Sequence, residues 1–222
     1  DHAKELMNDT RKGMGLHESY NRGQFKAIFV TGGPGSGKDI VIREAIAESK
    51  IVELNFIQSQ EYLGDKQKLS EKTSDFRREG IRNRGPLIIN GPADDQDRIA
   101  YIKEELEELG YETMMIFVET TNETSKERNS LLSRMMVESV RHDKWLKSQQ
   151  NTKYFQESFA DCVTFDNTGN LDTKEEDIHF VYEKTNEFLD SGVVGETAED
   201  WLNRRSKLNI NSLFKENKNV KS

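Results

Sequence analysis

Seven residues have the types and spacing to hold a phosphate: Gly32-Gly33-Pro34-Gly35-Ser36-Gly37-Lys38, a G-x-x-x-x-G-K pattern. Glycines let consecutive backbone N–H groups turn to one side and approach anionic oxygens closely. Lys38 adds a point charge for the outer phosphates. The stretch is preceded by Phe25-Lys26-Ala27-Ile28-Phe29-Val30, an apolar run of strand length, and followed from Asp39 by a segment of helical spacing. Strand, glycine loop and helix in that order place the loop amides and the positive end of the helix around one anion. Gly33, Pro34, Gly35, Ser36, Gly37, Lys38 and Asp39 are therefore the expected nucleotide-binding residues. A glycine-rich turn without a ligand is the alternative reading.

The elements that would position this loop alternate along the chain. Asp39 to Ser49 reads as a helix, and Ile51-Val52-Glu53-Leu54-Asn55-Phe56 as a second strand. Pro86-Leu87-Ile88-Ile89-Asn90 reads as a third strand. Ala93-Asp94-Asp95 has helix-start chemistry, and Ile99, Ile102, Leu106 and Leu109 share a helical face up to Gly110. Tyr111 to Val118 is the expected fourth strand. Another helix opens at Thr121-Asn122-Glu123-Thr124 and carries Lys126, Arg128, Arg134, Arg141, Lys144 and Lys147. Leu131, Leu132, Met135, Met136 and Val140 would give it an apolar side. Cys162-Val163-Thr164-Phe165 is the fifth strand, and Ile178 to Leu189 a closing helix that stops near Gly192. The expected architecture is a three-layer α/β fold with a five-stranded, mainly parallel sheet. It divides into an extension over 1–24, a core domain over 25–192 and a C-terminal extension over 193–222 with a polar, disordered end.

Composition bounds the function classes. The 222 residues carry a net charge of −8, which argues against indiscriminate nucleic-acid binding. Locally the balance differs: from Asp65 to Arg84 there are seven basic and four acidic residues. That excess suits an anionic substrate, and a solvated helix is its alternative. No apolar run has the length of a membrane span and no signal-peptide pattern opens the chain, so no membrane partner is expected. The single Cys162 fits a reducing cytoplasm and reads as an apolar filler beside Val163. The four histidines lack metal-ligand spacing, and no structural metal is expected.

The loop, together with Arg128-Asn129 followed by Arg134, resembles the polynucleotide 5′-hydroxyl kinase family and the related zeta-toxin kinases. The resemblance covers 25 to about 168. It departs from the family where two extra residues separate Arg128 from Arg134, and at strand 2, where the family's catalytic Asp has no counterpart. It implies a P-loop NTPase fold with a helical lid over about 121–150, and transfer of the γ-phosphoryl of ATP to a hydroxyl with Mg2+ as cofactor. Lys38 would take the β- and γ-phosphates, and Arg128 and Arg134 would close over them. Glu61 and Asp65 occupy the loop where the family keeps its general base; Asp94 and Asp95 are further candidates. Small P-loop kinases commonly place a hydroxyl after the lysine and an acid at the end of strand 3, whereas this chain has Asp39 and Asn90 there. Asp39 is the expected magnesium anchor, with Asn90 on a coordinated water; a helix-start Asp without a metal is the alternative. The expected acceptor lies on DNA, as a hydroxymethylated pyrimidine or a 5′-OH end. A nucleotide or small metabolite, or plain NTP hydrolysis without an acceptor, are the alternatives.

Overall fold

The computed structural model describes residues 22–46, 84–133, 135–169 and 174–205. Four strands form one parallel sheet: β1 (Lys26–Gly32), β2 (Leu87–Pro92), β3 (Glu112–Glu119) and β4 (Asp161–Asp166), in the order β2-β1-β3-β4. These correspond to the expected strands one, three, four and five. The expected strand over 51–56 lies outside the described residues, so the sheet has four described strands rather than five. Register aligns Val30 with Asn90 on one side and with Ile116 on the other.

Strand residues alternate between two apolar layers, as a sheet covered on both faces requires. Ile28, Val30, Ile88, Met114, Ile116 and Val118 face one cluster. It is covered by α1 (Lys38–Val41), which continues as a π-helical turn over Ile42–Ile46, and by α5 (Glu175–Asp190). Ala27, Phe29, Leu87, Ile89, Met115 and Phe117 face the other. That face is covered by α2 (Gln96–Glu108) and α4 (Glu138–Ser158). The arrangement fits a three-layer α/β fold. No helix among the described residues is long and apolar enough to cross a membrane.

Local chemistry explains the element ends. Asp95 caps α2 by accepting the Arg98 N–H at 3.1 Å, and Thr121 caps α3 (Asn122–Ser130) by accepting from Thr124 at 3.2 Å. The basic helix expected after strand four is instead two helices. α3 ends at Ser130, and α4 begins at Glu138. Asn129 holds the break: its side-chain amide donates to the Met136 carbonyl at 2.9 Å and accepts the Met136 N–H at 3.0 Å. The expected apolar side is consequently not packed. Leu131 is 79% exposed and Met135 65%. The described part of the C-terminal extension, by contrast, is anchored: 196–205 is helical, and Trp201 meets Phe25 edge-on at 5.5 Å.

β1 has β2 on one side and β3 on the other, so the chain changes winding direction at β1. In open parallel sheets the crevice beyond the carboxyl ends of strands at such a switch point is where ligands settle. The glycine loop leaves β1 at that point.

Candidate functional site

Hydrogen bonds fix the orientation of the loop one peptide at a time. The Gly32 carbonyl accepts from Ala93 N at 3.3 Å, and Gly33 O accepts from Ser36 N at 3.1 Å. Ser125 Oγ donates to Pro34 O at 2.6 Å. Arg128 Nη1 donates to Gly35 O at 3.1 Å and to Ser36 O at 3.3 Å, and Asn167 Nδ2 reaches Ser36 O at 2.6 Å. Gly37 O accepts from Ile40 N at 2.9 Å. Every carbonyl from Gly32 to Gly37 is therefore occupied. Among the described residues, no acceptor is paired with the N–H groups of Gly35, Gly37, Lys38 or Asp39. Carbonyls are satisfied from behind and donors are left over, which is the polarity an anion receiver needs.

Two of the glycines are required by shape. Gly37 has φ +79°, and a Cβ there would lie 2.3 Å from Asn167 Nδ2. At Gly32 a Cβ would meet Ser36 Oγ at 2.4 Å and the Val118 carbonyl at 2.5 Å. The Ser36 hydroxyl is thus packed under the loop, buried and without a hydrogen-bond partner among the described residues.

Asp39 and Asn90 are brought together from positions 51 apart in sequence, with Asn90 Nδ2 donating to Asp39 Oδ1 at 2.9 Å. Both are exposed, and Asp39 directly follows Lys38 in the chain. Among the described residues, no hydrogen bond engages Asp39 Oδ2 or Asn90 Oδ1, which leaves both as candidate metal-ligating oxygens. A single carboxylate and an amide oxygen fit magnesium, which keeps several waters and takes other ligands from substrate phosphates. No group of three or more His, Cys, Asp or Glu side chains able to hold a metal occurs among the described residues.

The remaining expected residues are placed unevenly. Glu61, Asp65 and Arg134 lie outside the described residues, as does the basic segment except Arg84. Asp95 is occupied as a helix cap. Asp94 pairs with Lys144 at 2.6 Å, and its other oxygen is buried without a partner among the described residues. Arg128 sits at the loop, but its guanidinium is bound to carbonyls: beyond Gly35 and Ser36, Nη2 donates to Asn167 O at 2.9 Å and Gly169 O at 3.1 Å. Burial lowers its pKa, with Glu127 acting in the opposite sense. Arg141, one of the basic residues expected on the lid, is fully buried and ties Glu138, Asn122 and Ser125 together.

Asn167, just past the end of β4, and Ser125 on α3 are site residues that the sequence pattern does not single out. A side chain that serves a backbone carbonyl leaves no partner to look for in the sequence. Cys162 is half-buried on β4, and burial pushes its thiol up to about 11, in keeping with a filler rather than a nucleophile.

No family model matches the chain, and no curated protein matches it. Among solved structures, the crystal structure of an uncharacterized protein from Eubacterium ventriosum ATCC 27560 is similar at 13% identity and a TM-score of 0.38. The alignment covers 71% of this chain and 98% of that one. A likeness of that size identifies no activity.

Proposed function

We propose that this protein is an ATP-dependent kinase of the P-loop type, transferring a γ-phosphoryl group to a hydroxyl carried on nucleic acid. One observation carries the reading: six consecutive loop carbonyls are occupied, while the N–H groups of Gly35, Gly37, Lys38 and Asp39 have no acceptor among the described residues. Donors so arranged bind the bridging and terminal oxygens of a triphosphate and neutralise charge as it shifts during transfer. Lys38 supplies the outer charge. Asp39 would be the carboxylate anchor of a magnesium ion, with Asn90 orienting that carboxylate, and the ion would supply further charge neutralisation for phosphoryl transfer. The acceptor rests on the basic stretch over 65–84 read in the sequence, with a hydroxymethylated pyrimidine or a 5′-OH end of DNA as its form.

The deciding experiment follows γ-labelled ATP into a panel of 5′-OH oligonucleotide, hydroxymethylated DNA, nucleosides and buffer alone. Label in the DNA supports the reading. Label in a nucleoside moves the acceptor class, and label only in inorganic phosphate means an NTPase instead. For the metal anchor, Asp39→Ala should raise the magnesium concentration giving half-maximal turnover by at least about tenfold, the loss of one charged ligand. An unchanged magnesium dependence would exclude Asp39 from the metal.

A further inference from the structure

Arg128 is the one arginine described at the loop, and its surroundings set it apart from a residue that swings onto a substrate. Its two terminal nitrogens donate to four backbone carbonyls, Gly35 and Ser36 on the loop and Asn167 and Gly169 beyond β4. Asn167 closes the same knot from the other side. Its amide donates to Ser36 O, its backbone N–H donates to Glu119 O at 2.9 Å, and its own carbonyl receives Arg128. The planar fork of a guanidinium suits this task, since it can serve two acceptors on each side at fixed spacing; an ammonium cannot. Among the described residues, the hydrogen-bond partners of Arg128 are all backbone carbonyls, and Glu127 acts on the cation only through its charge, without a hydrogen bond to it.

We infer that Arg128, together with Asn167, is a positioning residue. The pair clasps the outward carbonyls of Gly35 and Ser36 so that the loop amides face a polyphosphate, and holds a positive charge behind the loop. The inference rests on the proposed nucleotide site for its ligand, but the clasp exists independently of any activity. It replaces the expectation that Arg128 closes over the transferring phosphoryl group. A transition-state arginine acts on turnover, whereas a clasp acts on how well the loop receives phosphate.

Amide hydrogen exchange and equilibrium binding of ATP and of tripolyphosphate, on wild type, Arg128→Lys and Asn167→Asp, decide it. Should Arg128→Ala fail to fold, these two keep the test intact. Arg128→Lys should speed exchange at Ser36 and Ile40, whose N–H groups are bonded to the Gly33 and Gly37 carbonyls within the loop, by about tenfold while β3 amides hold their rates, as expected where local opening is eased but global stability is kept. The dissociation constants should rise by about tenfold, the scale of losing charge-assisted bonds, and by more than turnover falls. Asn167→Asp, which sets a carboxylate against the Ser36 carbonyl, should show the same signature. Unchanged loop exchange in both variants overturns the inference, and so does a large loss of turnover at unchanged affinity. If wild type binds neither ATP nor tripolyphosphate, the kinase reading falls, while the exchange rates still decide the clasp.

Discussion

The two ends of the sheet each hold a cation, and they treat it differently. At the amino end Lys26 is fully buried on β1, where its ammonium meets Glu112 at 2.7 Å, Ser191 Oγ at 2.7 Å and the Gly192 carbonyl at 3.2 Å. A carboxylate cancels its charge, and the Phe188 ring lies 5.1 Å away. At the carboxyl end Arg128 is only partly buried and its hydrogen bonds go to four carbonyls. Lys26 is solvated by the protein as a closed ion pair, which is a structural solution. Arg128 is satisfied in hydrogen bonding yet keeps its charge, which suits a place where an anion is to arrive. Under the proposed function, the end of the sheet that receives the anion is the one where positive charge is left standing, and charge as such does not mark it.

The sharpest way to break this comparison is at Gly37. An alanine there must adopt φ +79° and place its Cβ 2.3 Å from the Asn167 amide. Left-handed backbone and a displaced Asn167 together cost on the order of 3 kcal/mol, so ATP affinity should fall by about a hundredfold. Isothermal titration measures this. Affinity within threefold of wild type would mean that the loop does not depend on the knot behind it.

What the sequence discloses follows the same division. The loop, β1, β2, β3, β4 and the capped α2 are written in side-chain pattern, because glycine spacing, alternating burial and Asp95 each leave a mark in residue type. The Asp39 and Asn90 meeting is legible too, since each stands at a position fixed by its element. The clasp is not legible, because Arg128, Asn167 and Ser125 act on carbonyls that every residue possesses. The break after Ser130 was hidden for a related reason: Asn129 bonds the Met136 backbone, and Leu131, Leu132 and Met135 mimic a packed helical face while standing in solvent.

A second test works on the opposite end. Lys26→Met keeps much of the stem and removes the ammonium, leaving Glu112, about one-third exposed, free to rehydrate. Losing the buried pair and the bond to Ser191 should cost on the order of 2 kcal/mol in urea unfolding, less than for a pair whose surviving partner stays dry. ATP affinity should hold within twofold, since the site lies at the other end of the strand. A parallel loss of affinity would join the two ends that the comparison separates.

The smallest effect is expected where the binding end carries negative charge. Glu119 closes β3 and stands beside Asp166 in register. Burial chiefly, and then the Asp166 charge, raise the Glu119 pKa, whereas hydrogen bonds from Thr168 hold Asp166 low. The sign follows from linkage. A raised folded pKa means that the folded state holds the proton more tightly, so the stabilisation is complete below the ordinary glutamate pKa and is lost as pH rises through the raised value. Glu119→Gln cannot lose a proton, so its stability relative to wild type should climb from pH 4 to neutral. The side chain is partly exposed, which limits the gain to below about 1 kcal/mol. Urea unfolding across that range reads it, and a difference that stays flat with pH would show that Glu119 is not strained by its setting. The substitution is clean because the backbone task at this position, accepting the Asn167 N–H at 2.9 Å, does not involve the carboxylate. A negative charge held at some cost beside the loop is then a property of the Glu119 side chain alone, separable from the knot that its main chain helps to tie.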